Sequence, residues 1–166
     1  MRGYFAIGSE RISKAMNLGA LMRTANAFGA SFFFSIDAEH RLRAAYAADT
    51  SKTAGHIPYY QYDTIDEMQL PRGCQLVGVE LTDEAVMLPT FRHPVQAAYI
   101  LGPERGSLSP ETLARCDHVV KIPTKFCINL SLAGALVMYD RHLALGAYAP
   151  RPIMPGGVPG DGKLPG

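Results

Sequence analysis

Two short polar segments carry residue types that could bind or activate a small ligand. Gly102-Pro103-Glu104-Arg105-Gly106 follows the apolar run Ala98 to Leu101, and the segment Lys125 to Asn129 follows a second run, His118 to Ile122. Each lies between a predicted strand and the start of a predicted helix. In a parallel α/β sheet such loops gather at the carboxyl edge, where ligands bind. The two loops are therefore expected to face one pocket. Gly102 and Gly106 let backbone approach a ligand closely, although both also read as ordinary loop glycines. Taken by residue type alone, the chain offers a polar site near Glu104 and Asn129 and no more.

Other chemistries find little support. His40, His56, His93, His118 and His142 are scattered, and none pairs with a cysteine at zinc-ligand spacing, so no metal is expected. There is no GxSxG elbow, no P-loop and no GxGxxG turn after a strand. Cys74, Cys116 and Cys127 form no CxxC pair, which fits a reduced cytoplasm. No stretch is long and apolar enough to span a membrane, and Met1-Arg2-Gly3-Tyr4 lacks the apolar core of a signal peptide. The formal net charge is only +1, so no global basic field advertises nucleic acid.

The elements that must position these loops follow from periodicity. The 166 residues, 48% hydrophobic and 19% charged, suffice for one domain with a sizeable core. Tyr4 to Ile7 reads as a strand and Ser9 to Met16 as a polar loop. Asn17 reads as the cap of a helix carrying Leu18, Leu21, Met22, Ala25 and Phe28 at helical spacing, with Gly29 as terminator. Arg23 lies off that stripe; a lone arginine on a helix is by default a solvated charge. Ser31 to Ile36, with three consecutive phenylalanines, suits a central strand covered on both faces. Glu39 to Ala47 is helical in composition, with Arg41 and Arg43 as a local positive spot. Asp49 to Pro58 reads as a polar loop, Tyr59 to Tyr62 as a strand, Thr64 to Leu70 as a short helix and Gln75 to Leu81 as a strand. Asp83 to Pro94 is irregular, with Phe91-Arg92-His93-Pro94 as a surface loop.

Ser109 caps a helix with Pro110 in its first turn, and Asn129 caps the last helix, which runs to Gly146. That helix carries two apolar stripes: Leu130, Ala133, Gly134 and Val137, then Leu132, Ala135, Leu136, Tyr139 and Leu143. A surface helix needs only one. The second predicts a partner, most economically another copy of the chain. The alternation of strands and helices predicts an α/β layer fold with a largely parallel sheet. The division is a domain over residues 1–149 and a tail over 150–166, where five Pro and five Gly in seventeen residues predict flexibility.

Three separated motifs resemble the SpoU–TrmH family of RNA 2′-O-ribose methyltransferases, in the SPOUT superfamily. The first is the segment from Asn17-Leu18-Gly19 through Arg23-Thr24-Ala25 to Gly29. The second is LGPERGSLSP, and the third VKIP followed by CINLSLAGALVMYD. Their order and spacing match, and the resemblance covers the chain from about Tyr4 to Tyr148. It implies a C-terminal trefoil knot around S-adenosylmethionine and a homodimer. It implies RNA as substrate, with tRNA favoured and ribosomal RNA the alternative, since no added RNA-recognition segment is evident.

The resemblance also implies site residues. Arg23 matches the essential motif-one arginine, assigned in the family to activation of the 2′-hydroxyl. An arginine is effectively always protonated, so gripping a phosphate and orienting the hydroxyl is the easier chemistry. Asn17, Glu104 and Asn129 match the other polar positions, as catalytic groups or as anchors. The donor pocket carries over as Val79 and Glu80, Leu101 and Gly102, Ile122, Cys127, Asn129 and Leu130. Cys127 stands where the family usually has Ser, and a thiol is a weaker hydrogen-bond donor. Two readings from other classes remain: a non-catalytic module that binds S-adenosylmethionine or RNA, and an assembly protein that uses the fold only to dimerise.

Overall fold

The structure, a computed structural model, describes residues 3–38, 57–146, 148 and 155. The elements among them are β1 (Tyr4–Glu10), α1 (Ala15–Ala27), β2 (Phe32–Ile36), β3 (Tyr59–Tyr62), β4 (Gln75–Val79), β5 (Val86–Met87), β6 (Gln96–Leu101), α2 (Pro110–Arg115), β7 (His118–Lys121) and α3 (Leu130–Leu145), with 3-10 turns at Ile65–Glu67 and Leu88–Thr90. The expected helix at 39–47, with Arg41 and Arg43, most of the 49–58 loop and nearly all of the 150–166 tail lie outside the described residues.

The seven strands form one sheet in the order β3-β2-β1-β6-β4-β7-β5, and every pairing is parallel. Both faces are covered, as the unbroken apolar runs require. Phe5, Ile7, Phe33, Val77, Tyr99 and Leu101 point to one side, where Leu18, Leu21 and Met22 of α1 and Val137 and Met138 of α3 cover them. Ala6, Phe34, Leu76, Ala98 and Ile100 point to the other, against Ile65, Met68 and Leu108.

Helix α3 buries Leu130, Ala133, Gly134 and Val137 and leaves Leu132 60% and Leu136 and Tyr139 each 44% exposed. The two stripes thus separate as their spacing predicts. Gly134 sits where a Cβ would run into Leu21 Cδ1, so its lack of a side chain brings α3 against α1. Arg141 continues the buried stripe and is fully buried. Its guanidinium donates to the carbonyls of Pro94 at 2.5 Å, Val95 at 2.8 Å and Tyr4 at 3.2 Å. It thereby ties α3 to the amino edges of β1 and β6.

Two local expectations are corrected and a third is refined. β1 runs on through Gly8 to Glu10, because Ser9 and Glu10 are buried rather than looped out. Asn17 is not the cap of α1: the helix starts at Ala15, its N-cap Lys14 makes no side-chain capping bond, and Asn17 lies inside the first turn. The 91–94 segment is a loop with Arg92 exposed, but an anchored one, since His93 is 3% exposed and bonded through its ring nitrogens to Tyr99 Oη at 2.6 Å and Asp140 Oδ2 at 2.9 Å.

Candidate functional site

The parallel order sets the carboxyl ends of β4, β6 and β7 side by side. Val79 pairs with Leu101 on one flank and Val120 on the other. Immediately beyond these ends a cleft opens, lined by Val79, Glu80, Leu81, Leu101, Gly102, Pro103, Gly106, Ile122, Thr124, Cys127, Ile128 and Ala133. The two polar loops do face one pocket. Of the eight residues expected around a donor, Val79, Glu80, Leu101, Gly102, Ile122 and Cys127 line this cleft. Leu130 lies in the core cluster beside Ala133. Asn129 caps α3, accepting from the Ser131 amide at 2.9 Å and the Ser131 hydroxyl at 2.6 Å.

Carboxylates hold the 102–109 loop in shape. Glu80 accepts from the Leu108 amide at 2.8 Å and the Leu81 amide at 2.9 Å. Glu10, 4% exposed at the end of β1, accepts from the Ser109 amide at 2.7 Å, the Ser109 hydroxyl at 2.6 Å and the Thr112 hydroxyl at 2.5 Å. Ser109 also caps α2, its hydroxyl accepting from the Thr112 amide at 3.2 Å. Gly102 is approached closely: a Cβ there would lie 3.2 Å from the Leu108 nitrogen and 3.3 Å from Glu80 Oε2. Its smallness therefore preserves the Glu80–Leu108 contact that folds the loop back over the cleft.

Glu104 reaches the other way, across the gap to α1. It accepts from the Ser13 amide at 3.2 Å, the Ser13 hydroxyl at 3.1 Å, the Lys14 amide at 3.3 Å and Asn17 Nδ2 at 2.9 Å. The helix lacks a cap in its own sequence, and a carboxylate some ninety residues away supplies one at the positive end of its dipole. Burial pushes the Glu104 carboxyl up, but the bonds from Asn17, its own amide and Ser13 outweigh it and hold the group below its ordinary range. Asn129 Nδ2 donates to Asn17 Oδ1 at 3.3 Å, so Asn129, Asn17 and Glu104 form one hydrogen-bonded chain. Arg23 lies on the exposed face of α1 and does not line the cleft.

One contributor escaped sequence reasoning. Glu10 fell in a segment read as loop, between Ser9 and Arg11, and its partners Ser109 and Thr112 lie 99 and 102 residues on, so no local signal marks it. Cys116, whose thiol burial raises to about 12, donates to the Thr112 carbonyl at 3.2 Å and is a packing thiol. Among the described residues no cluster of His, Cys, Asp or Glu could hold a metal.

Comparison with known proteins adds a second line. Residues 4–139 match the model of the SpoU rRNA methylase family. A tRNA (guanosine(18)-2′-O)-methyltransferase of Escherichia coli is 26% identical over 137 residues, covering 79% of this chain and 59% of that protein. The chain therefore spans about three-fifths of the length of that relative. An AdoMet-bound rRNA methyltransferase from Sinorhizobium meliloti superposes with a TM-score of 0.77 at 22% identity, over 87% of this chain and 58% of the other. A structure solved for insight into 2-OH methylation of C/U34 on tRNA gives 0.73 at 22%, over 86% of this chain and 97% of the other. At such identity these two likenesses are of fold.

Proposed function

The chain belongs to the SpoU rRNA methylase family, and from that premise we propose that it is an S-adenosylmethionine-dependent RNA 2′-O-ribose methyltransferase acting on tRNA in the cytoplasm. The observation that carries this reading is the cleft at the ends of β4, β6 and β7, one residue away from the Glu104–Asn17–Asn129 chain. The cleft suits that donor. Leu101, Ile122, Ile128 and Ala133 offer an apolar bed for a purine ring, and Gly102 and the 123–128 loop bring main-chain polar groups to it. When bound, S-adenosylmethionine supplies an electrophilic methyl group on a sulfonium.

The residues of the chain do the holding and orienting. Val79, Glu80, Leu101, Gly102, Ile122 and Cys127, with the Asn129–Leu130 backbone, would hold the donor. Glu104 already accepts from four donors, so its role is to fix the start of α1 against the 102–106 loop. Asn17 and Asn129 set the distance between α1 and α3. Arg23, permanently charged, would hold the phosphate beside the acceptor ribose and orient its hydroxyl. Fixing donor and acceptor in line can supply much of the rate.

The exposed stripe Leu132, Leu136 and Tyr139 on α3, with Met16 of α1 77% exposed, supports a homodimer closed over this face. The C-terminal trefoil knot rests on the family resemblance. It agrees with a path in which the chain leaves β7, beyond β4, and returns through α3 to pack on α1. Ribosomal RNA is the alternative substrate, in line with the family's description.

The test is methyl transfer from tritiated S-adenosylmethionine to RNA from a strain lacking this protein, followed by mapping of ribose methylation. Label in a tRNA ribose is expected. Label only in ribosomal RNA would move the assignment to the alternative. Donor binding without transfer to any RNA would overturn the enzyme reading in favour of a binding module.

A further inference from the structure

The 102–106 loop has a second side. Across it from the donor cleft lies a concavity of about 450 Å³ lined by Arg11, Ser13, Lys14, Pro103, Glu104 and Arg105. Pro103 lines both spaces, so one loop separates them. The second space is chemically unlike the first. It gathers three cations against one carboxylate, in a chain whose formal net charge is only +1. The single carboxylate, Glu104, is turned onto the start of α1, where it accepts from Ser13, Lys14 and Asn17.

Arg11 is set in place rather than loose. Its backbone takes a φ of 49°, a left-handed conformation uncommon for arginine, and its amide donates to the Ile36 carbonyl at 2.8 Å. Its guanidinium donates to the Ser107 carbonyl at 2.6 Å and lies 3.9 Å from Glu10 Oε2. The cation is thereby held at the wall of the concavity.

We propose that the concavity of Arg11, Lys14 and Arg105 is a second phosphodiester subsite for the RNA strand that carries the acceptor ribose, taking a phosphate further along the strand than the one Arg23 would hold. The proposal rests on the RNA methyltransferase reading. A ribose 2′-hydroxyl and the 3′-phosphate sit on adjacent carbons. An acceptor hydroxyl brought to the donor cleft therefore carries its phosphodiester backbone to a point one loop away. Fixed cations there hold the strand by charge and set its register without reading sequence.

The test uses the full chain, bulk tRNA and three variants: Arg11→Gln, Lys14→Gln and Arg105→Gln. RNA affinity is measured across a range of salt, and donor affinity by calorimetric titration of S-adenosylmethionine. Each variant is expected to raise KM for tRNA with kcat at saturating tRNA held, and to leave donor affinity within twofold. The slope of log K against log salt should flatten by about 0.7 to 0.9 for each phosphate contact removed. Arg11 also supports the loop through Ser107, so the two variants without that bond, Lys14→Gln and Arg105→Gln, decide the matter if Arg11→Gln melts early. Wild-type RNA binding with an unchanged slope in those two variants overturns the subsite and leaves the methyltransferase reading intact. Loss of donor affinity with an unchanged RNA slope assigns the cations to the donor carboxylate and also overturns it. A wild-type chain that binds no RNA overturns both.

Discussion

Replacing Glu104 with Gln removes one charge and almost no volume, so it isolates what the carboxylate does. The wild-type group accepts from the Ser13 amide and hydroxyl, the Lys14 amide and Asn17 Nδ2, at 2.9 to 3.3 Å. All four partners are donors. A glutamine can offer its oxygen to some of them, but its NH2 group then confronts the rest. A hydrogen bond to a charged acceptor is worth about 1.5–3 kcal/mol net when buried. These are part-buried and three of the four are longer than 3 Å, so together they should be worth about 2 kcal/mol, not the sum of four full bonds. For a chain of this size that lowers Tm by roughly 4–8 °C. The measurement is thermal unfolding by circular dichroism at pH 7.5, beside methyl transfer at a temperature where both proteins are folded. Activity should fall further than stability, because Asn17 loses its partner and α1 its cap. The acid limb gives a sharper check. The carboxyl lies below its ordinary range in the folded state. It therefore contributes stability that is present above the unfolded value and lost as pH falls through the folded one. The wild-type advantage should shrink below about pH 4.5. Equal Tm at pH 7.5, or an advantage that persists undiminished in acid, would refute the reasoning.

Further outcomes follow from the same geometry. Arg23→Ala should abolish methyl transfer while leaving S-adenosylmethionine affinity within a few-fold, because Arg23 does not line the donor cleft; retained activity or collapsed donor binding would contradict this. Gly102→Val should weaken donor binding sharply in a titration, since a Cβ there already meets Leu108 N and Glu80 Oε2 at 3.2–3.3 Å. Because that strain falls inside the loop, a Tm lowered by the about 1–3 kcal/mol of overpacking should accompany it, and preserved affinity with a lowered melt would make Gly102 a packing position only. Light scattering at micromolar concentration should give twice the 18.0 kDa chain mass, and Leu136→Glu should shift it toward the single chain. Burial holds His93 below the ordinary imidazole range against the pull of Asp140. The folded state then binds fewer protons, so stability is full above about pH 6.5 and falls as pH drops below it; melting at pH 7.5 and 5.5 should show a drop that His93→Gln reduces.

The sequence by itself determined whatever depends on neighbours a few residues apart. Ser109 and Asn129 cap the helices they were expected to cap, because an N-cap is a bond within three residues. The two stripes of α3 separate into a buried and an exposed face because helical spacing alone assigns them. The unbroken apolar runs announced a two-faced parallel sheet, and that architecture in turn placed the Gly102 and Lys125 loops at one edge. Only the tertiary structure decided the contacts made across 87 to 137 residues. Asn17 was legible as a cap and serves instead as a link between Glu104 and Asn129, because Glu104 takes over the end of α1 from outside. Glu10 and Arg141 are buried charges whose partners are fixed by strand order and by the return of α3 onto α1. A hydrogen bond of that span leaves no local periodicity, because its two ends share no turn or strand. It exists only once burial has excluded water from both ends and left each polar group the other as its partner.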